Sequence, residues 1–306
     1  MPTKPFEPLL YRELAKTSAR EIIDIASPLL QEIVNYATNA FQRCQTSSTG
    51  KPDEDLPILA SYLHVIEMTD GIEVLISQSC PVPAIPLLRS SFEALVTIDY
   101  ILEAEYQQGS FAWLVQYVHT RLKEYEMLDT SRKSGQDFLA TLATDEIGDY
   151  MKLPPMPDLP QAIENLESLL SQPNYQTVES EYQRLKRANH RKPEWYSLFG
   201  GPRNLRELSR HVGRGAQYDF LYRYWSQITH AGDLSRFLTR TSEGSPAFKP
   251  IRNPADIKDF SIVTAYFVLD ATRKVLGKFR PGEERNFRKW YIQEIRGRFL
   301  TLVELR

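Results

Sequence analysis

Tyr222, Ser226 and His230 follow one another at four-residue steps in an otherwise aromatic segment, YDFLYRYWSQITH. This spacing predicts a polar stripe on one face of a helix. Histidine exchanges a proton near neutral pH, so His230 is a candidate general acid or base. Arg223 lies seven residues before it, and seven residues return a helix to nearly the same azimuth. An arginine and a histidine on one face could act on a phosphodiester, because arginine stabilises the charge that develops at phosphorus.

A second polar pair lies in the apolar segment LLRSSFEALVTIDYIL, where Arg89 and Glu93 are four residues apart. Charged side chains in such an apolar helix are costly unless they are paired. Two interpretations stay open. The pair could be an internal ion pair that fixes helix packing. Alternatively, Arg89 and Glu93 could converge with Tyr222, Ser226 and His230 in one buried or cleft-lining cluster.

The elements that must position these residues are helices. Apolar residues recur at three- and four-residue steps over most of the chain, which predicts an all-α fold, a bundle of long antiparallel helices with additional shorter helices. The predicted helices are Ala19–Gln45 with a kink or break at Pro28, Leu56–Ser79 with Asp55 as N-cap, Leu87–Tyr106, Phe111–Arg132, Leu159–Leu170, Glu179–Asn189, Asn204–His211, Tyr218–Thr229, Ala255–Lys278 and Glu283–Leu302. Strands are not expected, since no segment alternates apolar and polar residues over more than a few positions.

The segment LPPMPDLP, Leu153–Pro160, is the strongest helix breaker in the chain and predicts a loop or linker. Gly244–Pro254 is predicted to be a second loop. The expected organisation is therefore an N-terminal helical half, residues 1–152, and a C-terminal helical half, residues 153–306. We expect the two halves to pack as one domain.

The composition excludes several classes of protein. The 306 residues include 37 Lys and Arg against 39 Asp and Glu, and a net charge of −2 gives no overall polyanion-binding signature. Cys44 and Cys80 form no CxxC pair, which argues against a disulfide framework and a cysteine zinc site. No secretory leader and no run long enough to span a membrane is visible. We therefore expect a soluble, cytoplasmic protein that does not associate with membranes.

Positive charge is concentrated locally. Residues 184–240 contain 12 basic and 4 acidic residues, and residues 273–306 contain 10 and 4. One interpretation is a set of solvated basic helix faces. The other is an anion-binding surface, since arginine binds phosphate and aromatic rings stack on unpaired bases. The aromatic residues interleaved with the arginines are Trp195, Tyr196, Phe199, Tyr218, Phe220, Tyr222, Tyr224 and Trp225.

Common cofactor and catalytic motifs are missing. The sequence contains no GxxxxGK[ST] phosphate loop, GxGxxG, HExxH or GxSxG motif. Its five histidines form no pair at metal-ligand spacing. We therefore expect neither a cofactor nor a bound metal.

The chain resembles, at the level of fold analogy, the helical HEPN ribonucleases, which carry an arginine followed by four to six residues and a histidine. The matching pairs are Arg184 with His190, Arg206 with His211, and Arg223 with His230. Only the last pair is expected to share a helix face. The resemblance implies metal-independent RNA cleavage at a site formed across a homodimer, which would put His230 near a two-fold axis.

A closer resemblance rests on two motifs that occur in the right order. Arg-Ser-x-x-Glu and Tyr-x-x-x-Ser-x-x-x-His resemble those of the bacterial family numbered 5677 among the domains of unknown function. The matched positions are Arg89, Ser90, Glu93, Tyr222, Ser226 and His230. The resemblance covers roughly residues 56–235. It implies little chemistry by itself.

The sequence supports one leading hypothesis and two alternatives. The first is a HEPN-like protein of bacterial stress or phage defence that binds RNA and cleaves it without a metal. Its candidate catalytic residues are His230, Arg223, Arg89, Glu93, Tyr222 and Ser226. His230 would be the general acid or base, and Arg223 or Arg89 would hold the phosphate. Tyr222 and Ser226 would position groups by hydrogen bonding. The alternatives are a non-catalytic module that binds a protein or ligand, and an enzyme acting on a small anionic substrate.

Overall fold

The chain is almost entirely helical in the computed structural model, which describes residues 10–48, 52–103, 106–150, 158–189, 192–229, 237–249 and 251–305. The predicted all-α fold is confirmed. None of the helices within these ranges has the length and apolar character required to cross a membrane.

The helices are α1 Arg12–Ser18, α2 Arg20–Ser47, α3 Pro52–Ser77, α4 Ile85–Glu103, α5 Tyr106–Leu128, α6 Lys133–Ala143, α7 Leu159–Leu170, α8 Pro173–Asn189, α9 Leu205–His211, α10 Gly215–Gln217, α11 Arg223–Thr229, α12 Ile257–Phe279, α13 Glu284–Trp290 and α14 Arg296–Glu304. A π-helical turn, Tyr218–Tyr222, joins α10 to α11, and another, Tyr291–Ile295, joins α13 to α14. Most predicted helices are present, with ends shifted by a few residues.

Helices α2 and α3 differ locally from the predictions. Of the kink or break predicted at Pro28, the break is absent, because α2 continues through this residue. A proline removes one helical hydrogen bond, and the buried residues Ala26 and Leu29 on either side hold the helix against its neighbours. Asp55 lies inside the first turn of α3 instead of capping it, and its carboxylate accepts a hydrogen bond from Ser48 Oγ at 2.6 Å.

The structure also contains elements that the periodicity did not predict. Helices α1 and α6 are short and bury almost nothing, so they carry no continuous apolar stripe. A small antiparallel hairpin pairs β1, Leu238–Arg240, with β2, Pro246–Phe248. Strand β2 lies inside the predicted loop Gly244–Pro254, which is therefore partly wrong. Gly244 makes the connection possible because its φ of 82° suits glycine.

The chain divides into two compact units. The first unit combines Met1–Tyr100 with Ser209–Arg306, and the second is Ile101–Leu208. The division into residues 1–152 and 153–306 stays a prediction. Residues 153–157 of the proline-rich segment that suggested it lie outside the described residues. The helix predicted over Leu159–Leu170 is confirmed as α7, and Leu159 and Pro160, the last two residues of the proline-rich segment, form its first turn, where proline is tolerated.

Three long helices, α2, α3 and α12, form the centre of the first unit. The hydroxyl of the buried Tyr62 lies 3.1 Å from the Ala37 carbonyl oxygen and 2.9 Å from Thr272 Oγ1, so it ties the three together. Helix α4 joins this core through Phe92, whose ring centroid lies 5.9 Å from that of Phe267. Each such apolar side chain contributes about 1.5–3 kcal/mol when it is removed from water.

A buried ion network, which we call the Arg214 network, attaches α4 to α12. Arg214 is 4% exposed, and its guanidinium donates to Asp99 of α4 and Asp270 of α12. Lys274 binds the same two carboxylates, with its Nζ 3.1 Å from Asp270. Burial raises the pKa of Asp270, but hydrogen bonds from Arg273, Arg214 and Lys274 outweigh it and lower that pKa overall. The buried Asp99 and the partly buried Asp270 are thus paired with Arg214, Lys274 and Arg273.

The second unit has its own apolar core between α5 and α7. Its buried residues are Val118, Leu122, Leu159 and Ile163. Helix α8 packs on α5 through His119, whose Nε2 lies 2.7 Å from Glu179 Oε2 and whose ring stacks on Tyr182 at 4.2 Å. This histidine is paired and stacked, which is the arrangement of a structural residue.

Candidate functional site

The two sequence motifs meet in the first unit. Arg89 on α4 donates a hydrogen bond from Nη2 to the Tyr222 hydroxyl at 2.8 Å. The Tyr222 hydroxyl in turn donates to Glu93 Oε1 at 2.6 Å. We call Arg89, Glu93 and Tyr222 the Arg89 cluster. The structure thus joins Arg89 and Glu93 through the tyrosine hydroxyl.

Helix geometry explains how these residues meet. Arg89 and Glu93 are one turn apart on α4 and share a face. Tyr222 ends the π-helical turn Tyr218–Tyr222. Such turns are rare in proteins as a whole, but those that occur are often at functional sites. Its ring is held between the rings of Tyr218, at a centroid distance of 5.1 Å, and Phe92, at 5.5 Å. Packing therefore fixes the direction of the hydroxyl.

The electrostatics of the cluster keep Tyr222 protonated. Burial, reinforced by the hydrogen bond to Glu93, raises the pKa of Tyr222 to about 12, although Arg89 opposes the rise. The guanidinium carbon of Arg89 lies 4.6 Å from the centroid of the Tyr222 ring, which adds a cation–π contact. At neutral pH the hydroxyl is a hydrogen-bond donor of fixed direction.

One side of the cluster is open. The Glu93 side chain is exposed, and Arg89 is half-buried. The Arg89 Nε–H is buried and has no hydrogen-bond partner among the described residues. An unpaired buried donor costs about 1–3 kcal/mol, and an acceptor supplied by a ligand would remove that cost.

The structure does not bring all six predicted site residues together. Ser226 is half-buried on α11, one turn after Tyr222. Arg223 is exposed and, within the part of the chain that is described, forms no hydrogen bond with the cluster. His230 lies outside the described residues, as does His190. The catalytic roles of the six stay predictions.

The aromatic and basic residues of the 184–240 segment serve different purposes. Trp195, Tyr222 and Trp225 are buried, so their rings cannot stack on bases. Arg214 belongs to the buried network. Phe220 and Tyr224, by contrast, are 82% and 49% exposed on either side of Arg223. An exposed stripe of two rings and one cation therefore lies on the helical run that carries Tyr222.

A histidine that the motifs do not include lies beside the cluster. His64 on α3 has its Nε2 2.6 Å from Ser90 Oγ, and Ser90 follows Arg89 on α4. Helices α3 and α4 approach closely here, since a Cβ on Gly71 would lie 3.2 Å from Leu87 Cδ1. The only sequence signal was Ser90 itself, because its partner is 26 positions earlier in another helix.

The second unit contains a cleft of about 770 Å³ beside α9. Among its lining residues, Lys192 Nζ donates to Thr120 Oγ1 at 2.6 Å, and Glu207 accepts from the Arg203 backbone N–H at 3.0 Å. These charged groups serve the protein itself, so the cleft is a weaker candidate. In the described ranges, no group of three or more His, Cys, Asp or Glu side chains is placed to hold a metal ion.

Comparison with known proteins gives one match. The model of the Family of unknown function (DUF5677) matches residues 55–246, which is more than half of the chain and includes both motifs. The predicted resemblance to that family is confirmed. No curated protein and no solved structure matches the chain.

Proposed function

The chain belongs to the DUF5677 family of unknown function, and from this premise we propose that it is a HEPN-like helical protein of bacterial stress or phage defence that binds RNA at the Arg89 cluster and cleaves it without a metal. One observation carries the proposal. Tyr222 and Glu93 are 129 positions apart, both lie among the residues that the family model matches, and they are hydrogen-bonded in a cluster where Arg89 Nε–H has no partner among the described residues.

RNA binding is supported by the exposed stripe next to the cluster. Phe220 is 82% exposed and presents a ring on which an unpaired base can stack, a contact worth about 1–3 kcal/mol, and Tyr224 is 49% exposed nearby. Arg223 between them offers a guanidinium to a phosphate. Tyr222 lies on the same helical run, with its ring buried against Phe92 of α4.

The cleavage step needs a cation at the phosphate and an acid–base group. Arg89 supplies the cation. His230 supplies a proton acceptor or donor that works near neutral pH. Tyr222 holds Arg89 in place, while Ser226, one turn further, offers a hydroxyl.

A second candidate function is a non-catalytic module that binds a ligand or a protein. The observation that favours it is the state of the Tyr222 hydroxyl, which accepts from Arg89 and donates to Glu93. A hydroxyl that already accepts one hydrogen bond and donates another within the protein holds its neighbours in position and does not itself react. In this second candidate function, the surface binds an anionic ligand but no reaction is catalysed.

A cleavage assay separates the two candidates. Wild type, Arg89→Met and His230→Ala are incubated with mixed single-stranded RNA in EDTA, with Arg285→Gln as a control that removes an exposed arginine of α13. We expect wild type and the control to cleave, and both site variants to lose at least about 100-fold in rate. Retained binding without cleavage by wild type would favour the second candidate.

A binding titration tests the stripe. We expect Arg223→Gln to weaken RNA binding by about tenfold and to lower the slope of log K against log salt by about one. Phe220→Ala should weaken binding by about five- to 150-fold with an unchanged salt slope. Equal losses in Arg285→Gln, or an affinity that does not respond to salt, would contradict RNA binding at this surface.

A further inference from the structure

The second basic region of the chain, residues 273–306, has no role in the proposed function. Much of it is one helical run, residues 284–304, which passes from α13 through the π-helical turn Tyr291–Ile295 into α14. At 1.5 Å per residue the run is about 30 Å long. Phe287, Ile295 and Leu302 are buried along its whole length. The run therefore keeps one inner side across the π-helical turn, and the opposite side is continuous as well.

Specific contacts with α2 fix this run in place. The Trp290 indole Nε1–H donates to Glu32 Oε1 at 2.8 Å, and the Trp290 ring stacks on Tyr36 with the ring centroids 3.8 Å apart. Glu32 and Tyr36 are one turn apart on α2, so one side chain is held at two points. A helix held in this way loses little conformational freedom when a partner binds its outer side.

The outer side carries exposed residues at steps of three and four positions, the spacing of one helix face. Cations and aliphatic side chains are interleaved along it, and Ile292 is 59% exposed. An exposed apolar row rimmed by charged residues marks an interaction surface. We call this surface the Arg296 face, and its residues are Arg285, Lys289, Ile292, Arg296, Leu300 and Val303.

The cations of the Arg296 face have no counter-charge in the part of the chain that the structure describes. Arg285, Lys289 and Arg296 form no ion pair there. Other exposed arginines do, since Arg121 and Arg184 each have a carboxylate oxygen 2.7 Å away. Complementary charge brings partners together and selects among them, so the partner of this face should be anionic.

The composition of the face selects among anionic partners. Single-stranded RNA stacks its bases on aromatic rings, and none of the six residues is aromatic. A helix that lies on a membrane turns an apolar side to the lipid and its charges to the other side, whereas here both kinds of side chain share one side. A second copy of the same face would bring like charges together. A protein helix with apolar residues flanked by Asp or Glu fits, because guanidinium groups bind carboxylates in a fixed fork and arginine is enriched at protein interfaces.

We propose that the Arg296 face is the docking surface for an acidic amphipathic helix of a partner protein. The aliphatic residues of the face contact the apolar residues of that helix, and its cations pair with the carboxylates on either side of them. The face shares no residue with the Arg89 cluster. The inference therefore goes beyond the proposed function and does not depend on it.

The test measures binding of the full chain to a fluorescently labelled helical peptide of repeated Leu-Ala-Ala-Ile-Glu-Lys-Glu units, with a matched peptide in which Lys replaces each Glu. We expect wild type to bind the acidic peptide at least about tenfold more tightly than the matched peptide. Arg296→Gln and Ile292→Ser should each weaken binding by about five- to tenfold, and only Arg296→Gln should also reduce its dependence on salt. Arg298→Gln is the matched control, because Arg298 is an exposed arginine of α14 outside the face, and it should stay within about twofold of wild type.

Several results would overturn the proposal. They include equal affinity for the two peptides, no binding of either, and a loss in Arg298→Gln as large as that in Arg296→Gln. Co-sedimentation of wild type with vesicles of phosphatidylcholine and phosphatidylserine, lost in Arg296→Gln and without peptide binding, would assign the face to a membrane surface. A loss of RNA affinity in Arg296→Gln as large as the one expected for Arg223→Gln would assign it to RNA. Failure of RNA cleavage, which would contradict the proposed function, leaves the peptide result unchanged.

Discussion

Helix α4 carries two charged clusters of similar composition, and they differ in access to water. Near its beginning, Arg89 and Glu93 form the Arg89 cluster with Tyr222, where the carboxylate is exposed and one guanidinium N–H has no partner among the described residues. Near its end, Asp99 belongs to the Arg214 network, where Arg214 is 4% exposed and cations bind both the buried Asp99 and the partly buried Asp270.

This difference in access distinguishes a structural cluster from a candidate ligand-binding site. In the Arg214 network, Asp99 and Arg214 are enclosed and their charges are paired. In the Arg89 cluster, the Glu93 side chain is exposed, and the buried Arg89 Nε–H has no hydrogen-bond partner among the described residues. Both clusters contain arginine and carboxylate side chains. What distinguishes the two clusters is their exposure to solvent and the hydrogen-bonding groups that the described residues leave unused.

The largest expected loss of stability comes from a substitution in the Arg214 network. Asp99→Asn leaves Arg214 and Lys274 with one buried counter-charge fewer, and breaking a buried pair in this way costs about 3–5 kcal/mol. Urea unfolding followed by circular dichroism measures the loss. RNA affinity of the folded fraction should not change. A loss below about 1 kcal/mol would mean that the network is not the stabilising cluster described above.

A smaller loss of stability is expected from a substitution in the Arg89 cluster. Tyr222→Phe removes the hydroxyl that accepts from Arg89 and donates to Glu93, which should lower the free energy of unfolding by about 1–3 kcal/mol. The same urea experiment measures it. A loss equal to that of Asp99→Asn would remove the contrast between the two clusters.

The pH dependence of Tyr222 sharpens this prediction. Its pKa is raised from 10.0 to about 12 on folding, so the folded chain binds more protons than the unfolded chain between these values. The stabilisation is complete below about pH 10 and is lost as the pH rises towards about 12. Unfolding experiments at about pH 9 and about pH 11.5 should show a smaller loss in Tyr222→Phe than in wild type. Identical losses would show that Tyr222 does not titrate in this range.

The smallest effect is a coupling energy. Glu93→Ala should cost less than about 1 kcal/mol, because the side chain is exposed. In a double-mutant cycle with Tyr222→Phe, the two losses should deviate from additivity by about 0.5–1.5 kcal/mol, since the groups are hydrogen-bonded. With Asp99→Asn they should add to within about 0.5 kcal/mol. Coupling to Asp99 as strong as coupling to Tyr222 would mean that the two clusters act as one.

The sequence predicted what depends on local spacing. The bounds of α7 and the polar positions Arg89 and Tyr222 follow from helical periodicity, which any single segment displays. The contact between His64 and Ser90 could not be predicted this way, because it depends on how closely α3 and α4 pack at Gly71.

The boundaries of the two units could not be predicted from local sequence patterns either. The second unit, Ile101–Leu208, is continuous in sequence. The first unit is assembled from two separated stretches, which only contacts between distant helices such as α2 and α12 reveal.

That assembly has a consequence during protein synthesis. Helices α2 and α3 emerge early, but α12, which covers them, follows about 180 residues after α3 ends. At ~5–20 residues per second, a ribosome needs roughly 10–40 s to bridge this gap. Throughout that interval the apolar faces of α2 and α3 that pack against α12 are without that partner. Translation that stalls before α12 would leave the same surface free to aggregate.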